Sequence, residues 1–233
     1  MTRYILLLAH FFAVAAAAQV FEVEIDKPLW FDRKGSLEFG EAEISFRPSG
    51  KKARTLTWAY RDIQFVDRFG PKEFRLLSYE DVAWKLGRDR SYDFEITSGE
   101  LSDELFDQVT ARIGKPAIDR VVTEPANAQQ KLPAKHMTTL GGSQGTLYFA
   151  PERIVYSTNA HERSREWTLE RDIHSVWSSD PYRLEVHAYE GNPGAFRKPR
   201  VYKFALKQPL DAGFYRDLKL RLYEIDRRRD LKP

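Results

Sequence analysis

Arg47, Lys51, Lys52 and Arg54 crowd one predicted hairpin of this chain, and Arg197, Lys198 and Arg200 crowd another. Clusters of this kind can hold phosphate or lie against an anionic surface, where each cation contributes about 1 kcal/mol. Loop cations are more often simply solvated. The clusters therefore stand as candidate anionic-surface contacts. Arg227, Arg228 and Arg229 are flanked by Asp226 and Asp230 and read as a helix end whose cations suit the dipole. His136, His161, His174 and His187 make neither an H-x-x-x-H nor an H-E-x-x-H spacing, so no metal site is expected. The glycine-rich stretch 141–145 leads into a strand, whereas a phosphate-cradling loop leads into a helix N-terminus. Ser143 within it lacks the G-x-S-x-G elbow of a hydrolase. The pairs Arg61-Asp62 and Arg171-Asp172 read as turn caps or strand-end ion pairs. Trp177 follows Val176; with Val176 facing a core, Trp177 faces outward, and with His174 it forms a candidate partner contact.

Composition narrows the chemistry further. The 233 residues hold 37 Lys+Arg against 34 Asp+Glu, a formal charge of +3, and no cysteine. Thiolate catalysis, zinc-thiolate sites, disulfides and iron–sulfur clusters are thereby excluded. A charge this close to neutral argues against a generic nucleic-acid partner. No catalytic residue and no cofactor is expected, and the chain reads as a non-enzyme.

The first eighteen residues read as an address. Arg3 precedes an apolar run from Ile5 to Val14, which ends in four alanines, Ala15 to Ala18. A basic start, a short apolar core and small residues at the cut describe a secretory signal peptide, with cleavage after Ala18 or Ala17. The run is shorter than the ~20 residues a membrane-spanning helix needs. The expectation is an exported protein, periplasmic or extracellular, with no transmembrane span after cleavage.

The remainder is written twice. Sliding the chain against itself by 110 positions aligns residues 35–96 with 145–206 without a gap, and 14 of the 62 positions are identical. Average composition gives roughly 6% by chance, so the repeat is real. Gly35, Leu37 and Phe39 meet Gly145, Leu147 and Phe149; Arg61-Asp62-Ile63 meets Arg171-Asp172-Ile173; Tyr79-Glu80 meets Tyr189-Glu190; Arg90, Tyr92 and Phe94 meet Arg200, Tyr202 and Phe204. Trp58 and Trp167 are out of step by one residue, which predicts an extra residue near Glu170, with a β-bulge the expected form.

Each copy alternates apolar and polar residues with strand period, then changes to helical period. Ser102 is a predicted N-cap, with Leu105, Val109 and Ile113 as the apolar stripe and Gly114 as the stop. In the second copy Asp211 caps, and Phe214, Leu218, Leu222 and Ile225 form the stripe. Phe21, Val23 and Ile25 predict an opening strand in the first copy. A short strand near Lys135 to Leu140 is expected to open the second. The expected fold class is mainly β (α+β): two tandem β-sandwich or barrel domains, residues 19–114 and 134–233, joined by a linker at 115–133. Each domain has six or seven antiparallel strands and a C-terminal capping helix.

This pattern resembles the pleckstrin-homology (PH) superfold, most of all its GRAM-like and bacterial PH-like members. There, a G-x-L-x-F/Y strand leads to an I-x-F strand, a Trp-bearing strand and a D-I-x-x-V element. Gly35/Leu37/Phe39, Ile44/Phe46, Trp58 and Asp62/Ile63/Val66 match it, as do Gly145/Leu147/Phe149, Ile154/Tyr156, Trp167 and Asp172/Ile173/Val176. The resemblance implies a non-enzymatic module that binds a protein, a peptide or an anionic membrane surface. The first turn here, Gly40-Glu41-Ala42, is short and acidic, unlike the long basic hairpin of phosphoinositide-binding members. A structural subunit of a larger envelope assembly is the alternative, and an enzyme with an unrecognised site the weakest one.

Overall fold

Two glycines fix how the opening strands cross. A Cβ on Gly35 would lie 2.4 Å from the Arg47 carbonyl oxygen, and one on Gly145 would lie 2.2 Å from that of Ser157. Only glycine admits so close a backbone approach. Gly145→Ala is therefore expected to lower the unfolding free energy by about 2 kcal/mol, read by chemical denaturation; an unchanged midpoint would count against it.

The computed structural model describes residues 19–26, 33–50, 54–82, 89–139, 141–190 and 199–230. The first series of elements is β1 (Gln19–Asp26), β2 (Arg33–Phe39), β3 (Glu43–Pro48), β4 (Leu56–Ala59), β5 (Ile63–Arg68), β6 (Glu73–Asp81), β7 (Asp89–Ser98) and α1 (Asp103–Ile113). A short strand, β8 (Ile118–Asp119), follows. The second series repeats the order: β9 (Gln130–Thr138), β10 (Gly141–Phe149), β11 (Arg153–Ser157), β12 (Arg165–Thr168), β13 (Ile173–Trp177), β14 (Arg183–Ala188), β15 (Arg200–Leu206) and α2 (Ala212–Asp230). The expected signal peptide, residues 1–18, lies outside the described residues. No helix among the described residues is long and apolar enough to cross a membrane.

The fifteen strands of the described residues join in one open sheet, ordered β13-β14-β15-β9-β10-β11-β12-β8-β5-β6-β7-β1-β2-β3-β4. Among the described residues every pairing is antiparallel except that of β5 with β8. The buried side chains nonetheless divide into two large clusters. One gathers Val23, Leu37, Ile44, Trp58, Phe74 and Phe94 under Leu105, Phe106 and Val109 of α1. The other gathers Leu132, Leu147, Ile154, Trp167, Val186 and Phe204 under Leu218, Leu222 and Ile225 of α2. Each helix starts where its cap predicts. Ser102 Oγ accepts from the Leu105 N–H at 3.2 Å, and Asp211 Oδ1 accepts from that of Phe214 at 2.7 Å. Gly114 ends α1 in the left-handed region, φ 64°.

Two local expectations are corrected. The extra residue near Glu170 is not a β-bulge. It loosens a turn: Tyr60–Asp62 forms a tight 3-10 turn in the first repeat, whereas in the second the Asp172 N–H reaches back to the Thr168 carbonyl oxygen at 2.8 Å. Bulges occur instead at matching places one strand later, between Ile63 and Phe65 and between Ile173 and Ser175. Second, the strand opening the second repeat starts at Gln130, five residues ahead of its expected start. Gln130 pairs with Phe149, which extends β9 along the whole of β10.

Candidate functional site

β5 and β13 hold the same position in the two repeats and meet different fates. On β5, Asp67 pairs with Arg75 on one side and with Ile118 of β8 on the other. The connecting segment thus adds a parallel strand to the β5 edge. Outward-facing Phe65 and Leu77 bury Ile118 in a small apolar cluster of their own. Charges complete the seam. Arg68 chelates the Asp119 carboxylate at 2.9 and 2.5 Å, and Arg120 chelates that of Asp67 at 2.9 and 2.5 Å. For Arg68, burial alone would lower the guanidinium pKa; the hydrogen bonds and charges of Asp119 and Asp103 outweigh it and hold the pKa above its ordinary value.

The same segment ties down the second repeat. β8 pairs with β12 through Asp119 and Glu166. The Ala117 N–H donates to Asp172 Oδ1 at 3.3 Å, and Arg171 donates to Thr110 Oγ1 at 2.7 Å. The two Arg-Asp pairs, identical in sequence, therefore differ in role. Asp172 is buried and Arg171 half-buried in this junction, while Arg61 and Asp62 lie 3.7 Å apart in solvent.

β13 ends the sheet. Among the described residues no strand pairs with its outer side. Its register on β14 copies that of β5 on β6, with Trp177 opposite Glu185 as Asp67 is opposite Arg75. Val176 is buried and Trp177 is 50% exposed, so Trp177 faces outward as its spacing implied. His174 is also exposed; its ring stands edge-on to Tyr189 at 5.3 Å and its Nδ1 is 3.1 Å from Ser175 Oγ. Candidate partner residues His174 and Trp177 thus share the free edge strand. Tyr215 of α2 closes its end by accepting the Ser178 N–H at 3.0 Å. Relative to β5, this edge has exchanged Asp67 for Trp177 and Arg68 for Ser178, losing both charges that clasp the connecting segment.

Three of the basic candidates lie among the described residues. Arg47 on β3 pairs with Glu38 at 2.8 Å. Arg54 is exposed ahead of β4. Arg200 stands 3.6 Å from Glu190 and over the Tyr202 ring. Lys51, Lys52, Arg197 and Lys198 lie outside the described residues.

Sequence reasoning passed over a buried polar cluster whose Trp, Glu and Tyr members sit at repeated positions. In the second repeat Glu190, 2% exposed, accepts from Trp167 Nε1 at 3.0 Å and from the Tyr202 hydroxyl, with Arg165 also against Tyr202 at 3.1 Å. Burial, then the Glu190 charge, push the Tyr202 hydroxyl far up, so it stays protonated and acts as a donor. In the first repeat Glu80 accepts from Tyr92 at 2.8 Å but is 47% exposed, and Trp58 Nε1 is buried without a partner among the described residues. The paired Tyr-Glu and Arg-x-Tyr matches in the alignment were the available signal.

No protein-family description matches the chain, and no curated protein matches it. Among solved structures it is similar to the Spt16D–Pob3N heterodimer, at 12% identity over 82% of this chain and 98% of that one, with a TM-score of 0.28. At that score the architecture rests on the strand pairing described above.

Proposed function

We propose that this chain is an exported, non-enzymatic binding or scaffold protein built from two PH-like units, and that its ligand is an extended polypeptide segment added along the outer edge of β13. One observation carries the reading: the equivalent edge, β5, already holds an added strand, β8, supplied by the chain itself. An unpaired edge offers a row of backbone donors and acceptors to any strand of suitable side chains. Trp177 supplies the aromatic anchor that such contacts favour. Because Trp177 and Ser178 stand where Asp67 and Arg68 clasp the connecting segment, the ligand is uncharged and apolar at the matching positions. Arg47 and Arg200 are already paired with Glu38 and Glu190, which favours a peptide over an anionic surface as the ligand.

Selection of a random-peptide display library on the purified protein tests this. The expected winners are extended, apolar-rich peptides that slow amide exchange across Ile173–Trp177 and lose about tenfold or more in affinity on Trp177→Ala. Winners that protect other strands, or binding that ignores Trp177→Ala, would overturn the reading.

A further inference from the structure

On the outer faces of the two repeats, four matched charged positions carry opposite sign. In the first repeat one row across the sheet is Glu73–Glu95–Glu24, on β6, β7 and β1. The equivalent row in the second is Arg183–Ala205–Lys135, on β14, β15 and β9. The next row begins Arg75–Asp93 in the first repeat and Glu185–Lys203 in the second. Glu73 has become Arg183, Arg75 has become Glu185, Asp93 has become Lys203, and Glu24 has become Lys135. The cross-strand ion pair is kept but turned around: Arg75 to Asp93 at 2.5 Å, Lys203 to Glu185 at 3.5 Å. Random drift of a solvated face scatters charges, whereas in these two rows each charged position that stays charged has changed sign.

The two faces also differ in relief. The acidic one forms a groove of about 540 Å³, with Phe69 inside and Glu162 of the second repeat as a wall. The basic one carries exposed apolar side chains, Trp177, Met137 and Val201, beside its cations. Within the chain the charges are met on their own faces, Glu24 by Lys34 at 2.6 Å and Glu185 by Lys203.

We infer that the acidic face of the first repeat docks the basic face of the second repeat of another copy of this chain. The contact is heterologous: a docked pair keeps one face of each sign free for further neighbours, so it propagates into a ring or a filament. Charge complementarity supplies the partner choice and the exposed apolar side chains supply the anchor. This assembly shares Trp177 with the peptide edge, but its partner choice rests on the charges of the sheet faces and not on the backbone of β13, so the charge-reversal variants test it apart from peptide binding.

The mass of the purified protein, followed by light scattering against concentration and salt, tests it. At about 10 mM salt, where screening reaches ~30 Å, the mass should rise with concentration; at about 1 M salt, where it reaches ~3 Å, the protein should be monomeric. Glu73→Lys/Glu95→Lys and Arg183→Glu/Lys203→Glu alter exposed residues and should leave the protein folded with a cooperative thermal melt, the second at a slightly lower midpoint because Lys203 pairs with Glu185. Each double variant alone should stay monomeric at low salt, and an equimolar mixture should associate. A wild-type protein that stays monomeric at low salt overturns the inference, whether or not its basic face then binds vesicles of anionic lipid. So does a mixture no heavier than its components, or a variant that associates as the wild type does.

Discussion

Replacing Arg68 by Met is expected to lower the unfolding free energy by about 3–5 kcal/mol, the cost of removing one partner from a buried ion pair. Arg68 is only 1% exposed. It chelates Asp119, reaches Asp103 at 2.8 Å and the carbonyl oxygen of Leu101 at 3.3 Å, and lies 4.6 Å from the centre of the Phe106 ring. Methionine keeps the contact with Phe106 and leaves the Asp119 carboxylate buried with the Val121 N–H, at 2.9 Å, as its remaining strong donor. Burial already pushes the Asp119 pKa up, with Arg68 acting against it. Without Arg68 the group must bind a proton or leave, and β8 leaves with it. Arg68→Met should therefore speed amide exchange at Ile118 and Asp119 more than in the core of either repeat. The double change Arg68→Met/Asp119→Leu removes the stranded charge and should recover part of the loss. A destabilisation below about 1 kcal/mol would mean the pair is effectively solvated. Unchanged exchange at β8 would mean that other contacts hold the segment.

β8 also marks where the sequence stops being readable. The strands and helices with a sustained period were legible, because alternation and the 3.6-residue stripe report one buried side each. Ser102, Asp211 and Gly114 were legible because a helix end has local chemistry. Gly35 and Gly145 were visible as matched positions, and their cause, backbone contact across a strand pair, came with the structure. Ile118-Asp119 has no period at all. It pairs because Arg68, 51 residues away, meets Asp119, and no local pattern encodes that distance. The Arg-Asp motif shows the same limit: two identical pairs, one held in a junction with its carboxylate buried and one in solvent, with the difference supplied by Ala117 and Thr110 from outside the second repeat. The slip between Trp58 and Trp167 gave the count of the extra residue but not its form, since a bulge and a loosened turn consume the same single residue. The charge reversal was present in the alignment too, at Glu73/Arg183 and Asp93/Lys203. It sits where the copies differ, and a search for identities reads past it.

The stability of the second repeat is expected to fall with pH through a single side chain, His136. It stands on β9 where the first repeat has Ile25, each opposite a phenylalanine of the neighbouring strand, Phe204 and Phe94. The ring is buried against Tyr156, Tyr202 and Phe204, with centroids 5.2 to 6.0 Å away. Burial first, then the charges of Arg165, Arg163 and Arg200, lower its pKa from 6.5 to about 4. The unfolded chain, at about 6.5, therefore binds the proton before the folded one does. Stability from this group is complete above pH 6.5 and is lost as the pH falls toward 4, by about 3 kcal/mol in all. His136→Ile places the residue of the first repeat in the second and removes the titration. Carboxylates contribute equally to both proteins, so the difference in unfolding free energy between variant and wild type isolates the histidine. Measured by denaturant unfolding, that difference should shift by about 3 kcal/mol in favour of the variant between pH 7 and pH 4. A difference that stays constant across this range would mean that the folded protein admits the proton as readily as the unfolded chain, and that the ring is open to water.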